Sequence, residues 1–160
     1  MEYEEVLTKG LQEGFAGETN RGKVDRGGFI LEVSHYETDN GDIYHDEWIA
    51  DRIGTGHEIV RVDGKIYTRV YGGGTVSEEK LKSLGLVKKD VIKFLKKQIL
   101  ENREEIRLHN DFLPEADGDW KYEYEVVDRE DDIPVLASKE SIYYKGDLVF
   151  VHDFVLTPVE

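Results

Sequence analysis

The sequence predicts an α+β protein, a largely antiparallel sheet of about eight strands with two main helices on one face, internally duplicated as two helix-plus-two-hairpin units. Three observations predict it. Four dipeptides suited to two-residue hairpin turns stand at Asn40-Gly41, Asp63-Gly64, Asp117-Gly118 and Lys145-Gly146, where positive φ is needed and glycine and asparagine supply it cheaply. The segments beside them are rich in β-branched and aromatic residues with period-two alternation. Two amphipathic helical segments each precede a pair of these turns.

Taken in chain order, residues 2–13 carry Tyr3, Val6, Leu7 and Leu11 on one helical face and stop near Gly14 and Gly17, where glycine can form the cap. The glycine-rich stretch 14–28, poor in apolar residues, reads as a mobile loop. In the first hairpin Phe29, Leu31 and Val33 alternate with Glu32 and Ser34, and Tyr44, Asp46 and Trp48 alternate with Ile43, His45 and Glu47. The second joins Ile59–Val62 to Ile66–Tyr71. Ser77 is placed to cap a helical turn ending at Gly85. Residues 88–103 place Val91, Ile92, Leu95, Ile99 and Leu100 on one stripe, with Lys88, Lys89, Lys93, Lys96 and Lys97 on the solvated side. The third hairpin joins Ile106–Phe112 to Trp120–Val127, and the fourth joins Ser141–Tyr144 to Leu148–Leu156.

Setting Gly64 on Gly146 brings Glu58 onto Glu140, Val60 onto Ile142 and Ile66 onto Leu148. With one gap, Tyr44 falls on Tyr122. The chain is therefore read as one domain, 1–160, with pseudo-repeats 1–74 and 86–160 joined by 75–85. Asp46 then falls opposite Tyr124 and Trp48 opposite Val126, so these two are peculiar to the first half.

The formal net charge of −14 opposes nucleic acid and anionic membrane surfaces as partners, because both depend on Lys and Arg displacing counterions. The chain has no cysteine, which removes disulfides and thiolate chemistry and fits a reducing compartment. The acidic start Met1-Glu2-Tyr3-Glu4-Glu5 is unlike a secretory signal, and no apolar run reaches the ~18 residues of a spanning helix. The expected location is the cytoplasm, as a monomer or homodimer with a small-molecule or protein partner of unknown identity.

Three of the five histidines lie near acids in the stretch His35, His45, Asp46, Glu47, His57 and Glu58. A histidine with a carboxylate orienting it could serve as base or ligand, but no recognised metal or triad spacing is present, and exposed strand histidines beside acids are the commoner case. No cofactor and no metal are expected. Gly72-Gly73-Gly74 before Ser77 invites a phosphate-loop reading, yet no lysine follows and Glu78 and Glu79 occupy the helix start. Acidic turns at 39–42, 117–119 and 128–132 lack the calcium-loop pattern. The strand aromatics, among them Tyr44, Trp48, Tyr71, Trp120 and Tyr122, suit either a binding surface or cross-strand pairing.

The run Gly41-Asp42-Ile43-Tyr44-His45-Asp46-Glu47-Trp48, then Gly56-His57-Glu58-Ile59-Val60, Gly64-Lys65 and Tyr71-Gly72, resembles an uncharacterised prokaryotic domain family of unknown function. The shared pattern is Tyr-x-Asp-x-aromatic, Gly-x-Glu-x-Val, Gly-Lys and Tyr-Gly over about residues 40–75. Ile49-Ala50-Asp51 and Ile66-Tyr67-Thr68 depart from it. The resemblance implies one small domain and supplies no activity.

The functional expectation is a noncatalytic small-molecule, peptide or protein binding domain using an aromatic sheet face, with Tyr44, Asp46, Trp48, Glu58 and Tyr71 as binding residues and no catalytic residues. One alternative is a small enzyme with hydrolase-like acid/base chemistry from His45 or His57 with Asp46 or Glu58. Another is a structural homodimer formed through a sheet edge.

Overall fold

The computed structural model describes residues 3–102, 105–130 and 132–160. Glu2 and Arg103, the expected ends of two helices, and Asp131 of an acidic turn lie outside the described residues. Helix α1 (Tyr3–Leu11) runs into a π-helical turn (Gln12–Ala16), and five strands follow as β1 (Arg21–Arg26), β2 (Phe29–Glu37), β3 (Ile43–Ala50), β4 (Ile53–Val62) and β5 (Lys65–Thr75). Helices α2 (Glu78–Ser83) and α3 (Lys88–Glu101) lead to β6 (Trp120–Arg129), β7 (Leu136–Tyr144) and β8 (Asp147–Val159).

The strands form one open sheet in the order β1-β2-β3-β4-β5-β8-β7-β6. All neighbours are antiparallel. The turns at Asp63-Gly64 and Lys145-Gly146 have positive φ at both residues, the geometry that matches the twist of the strands they join. A two-residue turn fixes the register, so Val62 pairs with Lys65 and, four steps back, Glu58 with Arg69.

Two segments depart from the sequence expectation. Residues 21–26, assigned to a mobile loop, form edge strand β1 against β2. The turn between them is Gly27-Gly28, with φ of 65° and 90°. Arg21 and Lys23 lie 3.5 and 3.6 Å from Glu32, and Arg26 pairs with Glu47. A charged edge strand has no apolar alternation to reveal it, and such charge is how sheet edges resist further pairing. Residues 106–112, expected as a strand, form no strand, and their ladder pairing with the sheet is one isolated bridge of Phe112 to Tyr124. Arg107 there has φ 59°, which breaks an extended run and turns its side chain inward.

The buried side of the sheet carries alternate residues of each strand. Val6 and Leu7 of α1 pack on Tyr44, Val60 and Val62. Leu11 of α1 joins Val91, Leu95 and Ile99 of α3 over Tyr122, Ile142, Phe150 and Phe154. Gly10 is where α1 comes closest, since a Cβ there would overlap the Tyr44 ring. Ser77 Oγ accepts from the Lys80 N–H at 3.2 Å and starts α2. The Asp90 carboxylate accepts from the Val87 N–H at 2.9 Å and starts α3. The solvated lysines of α3 reach acids elsewhere: Lys88 to Asp51, Lys96 to Glu18 and Lys97 to Asp117. No helix among the described residues is long and apolar enough to cross a membrane.

Candidate binding site

Alternation along β3 sends Tyr44, Asp46 and Trp48 to the buried side and His45 and Glu47 to the other. Register then assembles the neighbours. Asp46 stands opposite Glu58, and Trp48 stands opposite Gly56. Glu58 stands opposite Arg69, and Gly56 opposite Tyr71. The missing side chain at Gly56 is what admits Tyr71, because a Cβ there would overlap its hydroxyl. Four of the five expected residues, Asp46, Trp48, Glu58 and Tyr71, consequently line one cavity between the sheet and the helices. Tyr44 does not line it. Its ring lies under α1, and its hydroxyl donates to Glu58 Oε1 at 2.7 Å.

The two carboxyl groups differ in how fully they are satisfied. Glu58, 1% exposed, accepts from Arg69 Nη2 at 2.8 Å, from Arg69 Nε and from Tyr44. Burial pushes its carboxyl up, but the Arg69 guanidinium outweighs that and holds it below the ordinary range. Asp46 is 2% exposed, and its hydrogen-bond partner is the Tyr71 hydroxyl, 3.2 Å from each carboxyl oxygen. Burial, and then the Glu58 charge beside it, hold the Asp46 carboxyl well above the usual carboxylate range.

A second ion pair closes the far side. Arg107 donates from Nε and Nη2 to Glu140 at 2.8 and 2.6 Å, and Tyr122 donates to the same carboxylate at 2.6 Å. Burial pushes Glu140 up, and Arg107 more than reverses it, leaving the carboxyl far below its ordinary value. Arg69 Nη1 donates to the Arg107 carbonyl at 2.5 Å, tying the two pairs together. Both guanidinium groups lie over the Phe154 ring, at 5.4 and 5.1 Å. His152 Nδ1 is 3.5 Å from Glu140 Oε2, within ion-pair range but not a formed hydrogen bond, and burial lowers its pKa.

The cavity offers about 100 Å³ in which the centre of a water molecule can sit. Leu11, Phe15, Trp48, Ile92, Leu95 and Phe150 supply apolar walls. Asp46, Glu58, Arg107 and His152 supply a polar floor. Exposed Ala50, Asp51, Thr55 and Lys88 form the rim, where Lys88 Nζ donates to Asp51 Oδ1 and to the Asp51 carbonyl, each at 3.0 Å. Thr75 also lines the cavity, and its hydroxyl has no hydrogen-bond partner among the described residues. An apolar concavity with a few convergent polar groups and displaced pKa values is the usual form of a small-molecule site.

The histidines expected beside these acids lie elsewhere. His45 and His57 project from the opposite face to Asp46 and Glu58, so the acid–base pairings drawn from sequence order are not assembled. His45 Nε2 is instead 3.0 Å from Glu47 Oε1, and its Nδ1 is 3.2 Å from His35 Nδ1. No group of three or more His, Asp or Glu side chains among the described residues is placed to hold a metal.

Arg69, Thr75, Arg107 and His152 were not anticipated. Arg69 was legible in principle, since the Asp63-Gly64 turn sets it opposite Glu58. Arg107 carries no such signal, because it enters from an irregular segment. No family model, curated protein or solved structure matches the chain.

Proposed function

We propose that the chain is a noncatalytic binding domain that takes a small amphipathic molecule into the cavity between the sheet and helices α1 and α3. Asp46 anchors its polar end, and Trp48 and Tyr71 flank its body. The observation that carries this reading is Asp46 itself. A buried carboxyl with one hydroxyl partner leaves hydrogen-bonding capacity unmet beside an open space. Such capacity is costly unless something enters to use it. A cavity of this volume favours a small molecule over a peptide or folded partner. Glu58 supports the site without joining it, since Arg69 and Tyr44 already occupy its oxygens. A fragment panel observed by NMR, run against wild type, Asp46→Asn and Trp48→Ala, tests the assignment. Hits that both substitutions weaken support it. A panel that binds all three proteins alike removes it.

Internal duplication belongs with this reading. Tyr44 and Tyr122 donate to Glu58 and Glu140, and each glutamate is also held by an arginine, Arg69 or Arg107. These matched clusters support a repeat of the tyrosine–glutamate unit. Where the halves differ, the second is closed: Tyr124 stands at the counterpart of Asp46, and its hydroxyl is spent on the Leu108 carbonyl and Ser138 Oγ. That contrast supports function in the first half.

A further inference from the structure

We propose that the ligand of this cavity is a small organic cation, an ammonium on an apolar body, whose charge pairs with the Asp46 carboxylate. The proposal rests on the binding reading above and narrows it to a chemical class.

The charges inside the fold make the choice. Glu58 is matched by Arg69 and Glu140 by Arg107. Among the described residues Asp46 has no cation in salt-bridge contact and meets the Tyr71 hydroxyl. Facing it from the surrounding elements are Tyr44 of its own strand, Glu58 of β4, Arg69 and Tyr71 of β5, Arg107 of the segment before β6, and His152 of β8. From α1, the π turn and α3 the cavity receives Leu11, Phe15, Ile92 and Leu95, none of them titratable; at its mouth Lys88 is tied to Asp51, and the half-buried Arg52, between β3 and β4, donates from Nη1 to the Thr75 carbonyl at 2.7 Å. With Asp46 ionised, the buried cluster of Asp46, Glu58, Arg69, Arg107 and Glu140 therefore carries one unmatched negative charge. A ligand cation removes it, whereas a ligand anion would add to it.

Two further features point the same way. Phe15, Trp48, Tyr71 and Phe150 surround the space, and aromatic faces attract cations electrostatically. The Thr75 hydroxyl, in a residue 4% exposed and without a partner among the described residues, offers an acceptor for an ammonium N–H. An inorganic cation is a poor fit, because walls of carbon supply too few oxygen ligands. Burial and the neighbouring Glu58 charge hold the Asp46 carboxyl above the usual carboxylate range, and a ligand ammonium beside it would oppose that shift.

The test is calorimetric titration of the intact chain with benzylamine, benzyl alcohol and benzoate. Benzylamine should bind at least about tenfold tighter than benzyl alcohol. Its affinity should fall as the pH is lowered and protons compete for Asp46. Asp46→Asn should cancel the advantage of the amine over the alcohol. Should that variant unfold, the ranking of the three compounds on wild type decides. If benzyl alcohol or benzoate binds as well as benzylamine, the cation assignment is overturned while the cavity remains a binding site. If none of the three binds, the assignment and the cavity reading fall together.

Discussion

Asp46 and Glu58 stand directly opposite each other on β3 and β4, yet one carboxyl is bound by an arginine and a tyrosine while the other meets a single tyrosine hydroxyl. Their surroundings push the two pKa values apart. This inequality between cross-strand neighbours separates a residue that holds the fold from one available to a ligand, and the predictions test each side of it.

Asp46 should weaken the folded state as the pH rises. Its folded pKa is above the unfolded one, so its favourable contribution is complete below about 3.9 and is lost as the pH climbs through the raised folded value. Asp46→Asn, neutral at every pH, should match wild type near pH 3.5 and exceed it at pH 7. Urea unfolding at both pH values measures the difference, and equal stability at pH 7 would contradict the burial of an unmatched charge.

Glu140 should behave in the opposite sense. Its folded pKa is depressed, so the stability it contributes is present above the ordinary carboxylate value and is lost as the pH falls through the folded one. Glu140→Gln strands the buried Arg107 charge and should cost about 3–5 kcal/mol, by chemical denaturation at neutral pH. The double change Glu140→Leu, Arg107→Met should recover part of that loss, because no charge is then left unpaired.

Gly56→Ala should disrupt the site through Tyr71. The added methyl group overlaps the tyrosine hydroxyl and must separate it from Asp46. Thermal unfolding should show a loss of about 1–3 kcal/mol, typical of an overpacked interior, and Tyr71 ring signals should shift. Unchanged ring signals would show that the close approach is not what positions Tyr71.

Much of this arrangement was legible in the sequence, for identifiable reasons. The Asp63-Gly64 and Lys145-Gly146 turns specify their hairpins because two consecutive positive φ values admit few residue types. Alternation in Tyr44-His45-Asp46-Glu47-Trp48 assigns faces correctly, and it also shows why sequence proximity misled about the histidines. His45 lies beside Asp46 in the chain and across the sheet from it in space. Strand β1 was hidden because Arg21, Lys23, Asp25 and Arg26 leave no apolar alternation at an edge held by backbone pairing and ion pairs. Arg107 was hidden because an irregular segment with positive φ carries no periodicity from which to infer the direction of a side chain.

The two tryptophans provide the most direct measurement of the central claim. Trp48 lines the cavity, whereas Trp120 stacks on Phe94 with ring centroids 4.9 Å apart and does not line it. In an indole ¹H–¹⁵N spectrum recorded during titration with amphipathic fragments, the Trp48 resonance should move saturably while Trp120 stays fixed, and Asp46→Asn should weaken the response. A panel in which Trp48 never moves, or in which both indoles drift together, would contradict a ligand site at Asp46.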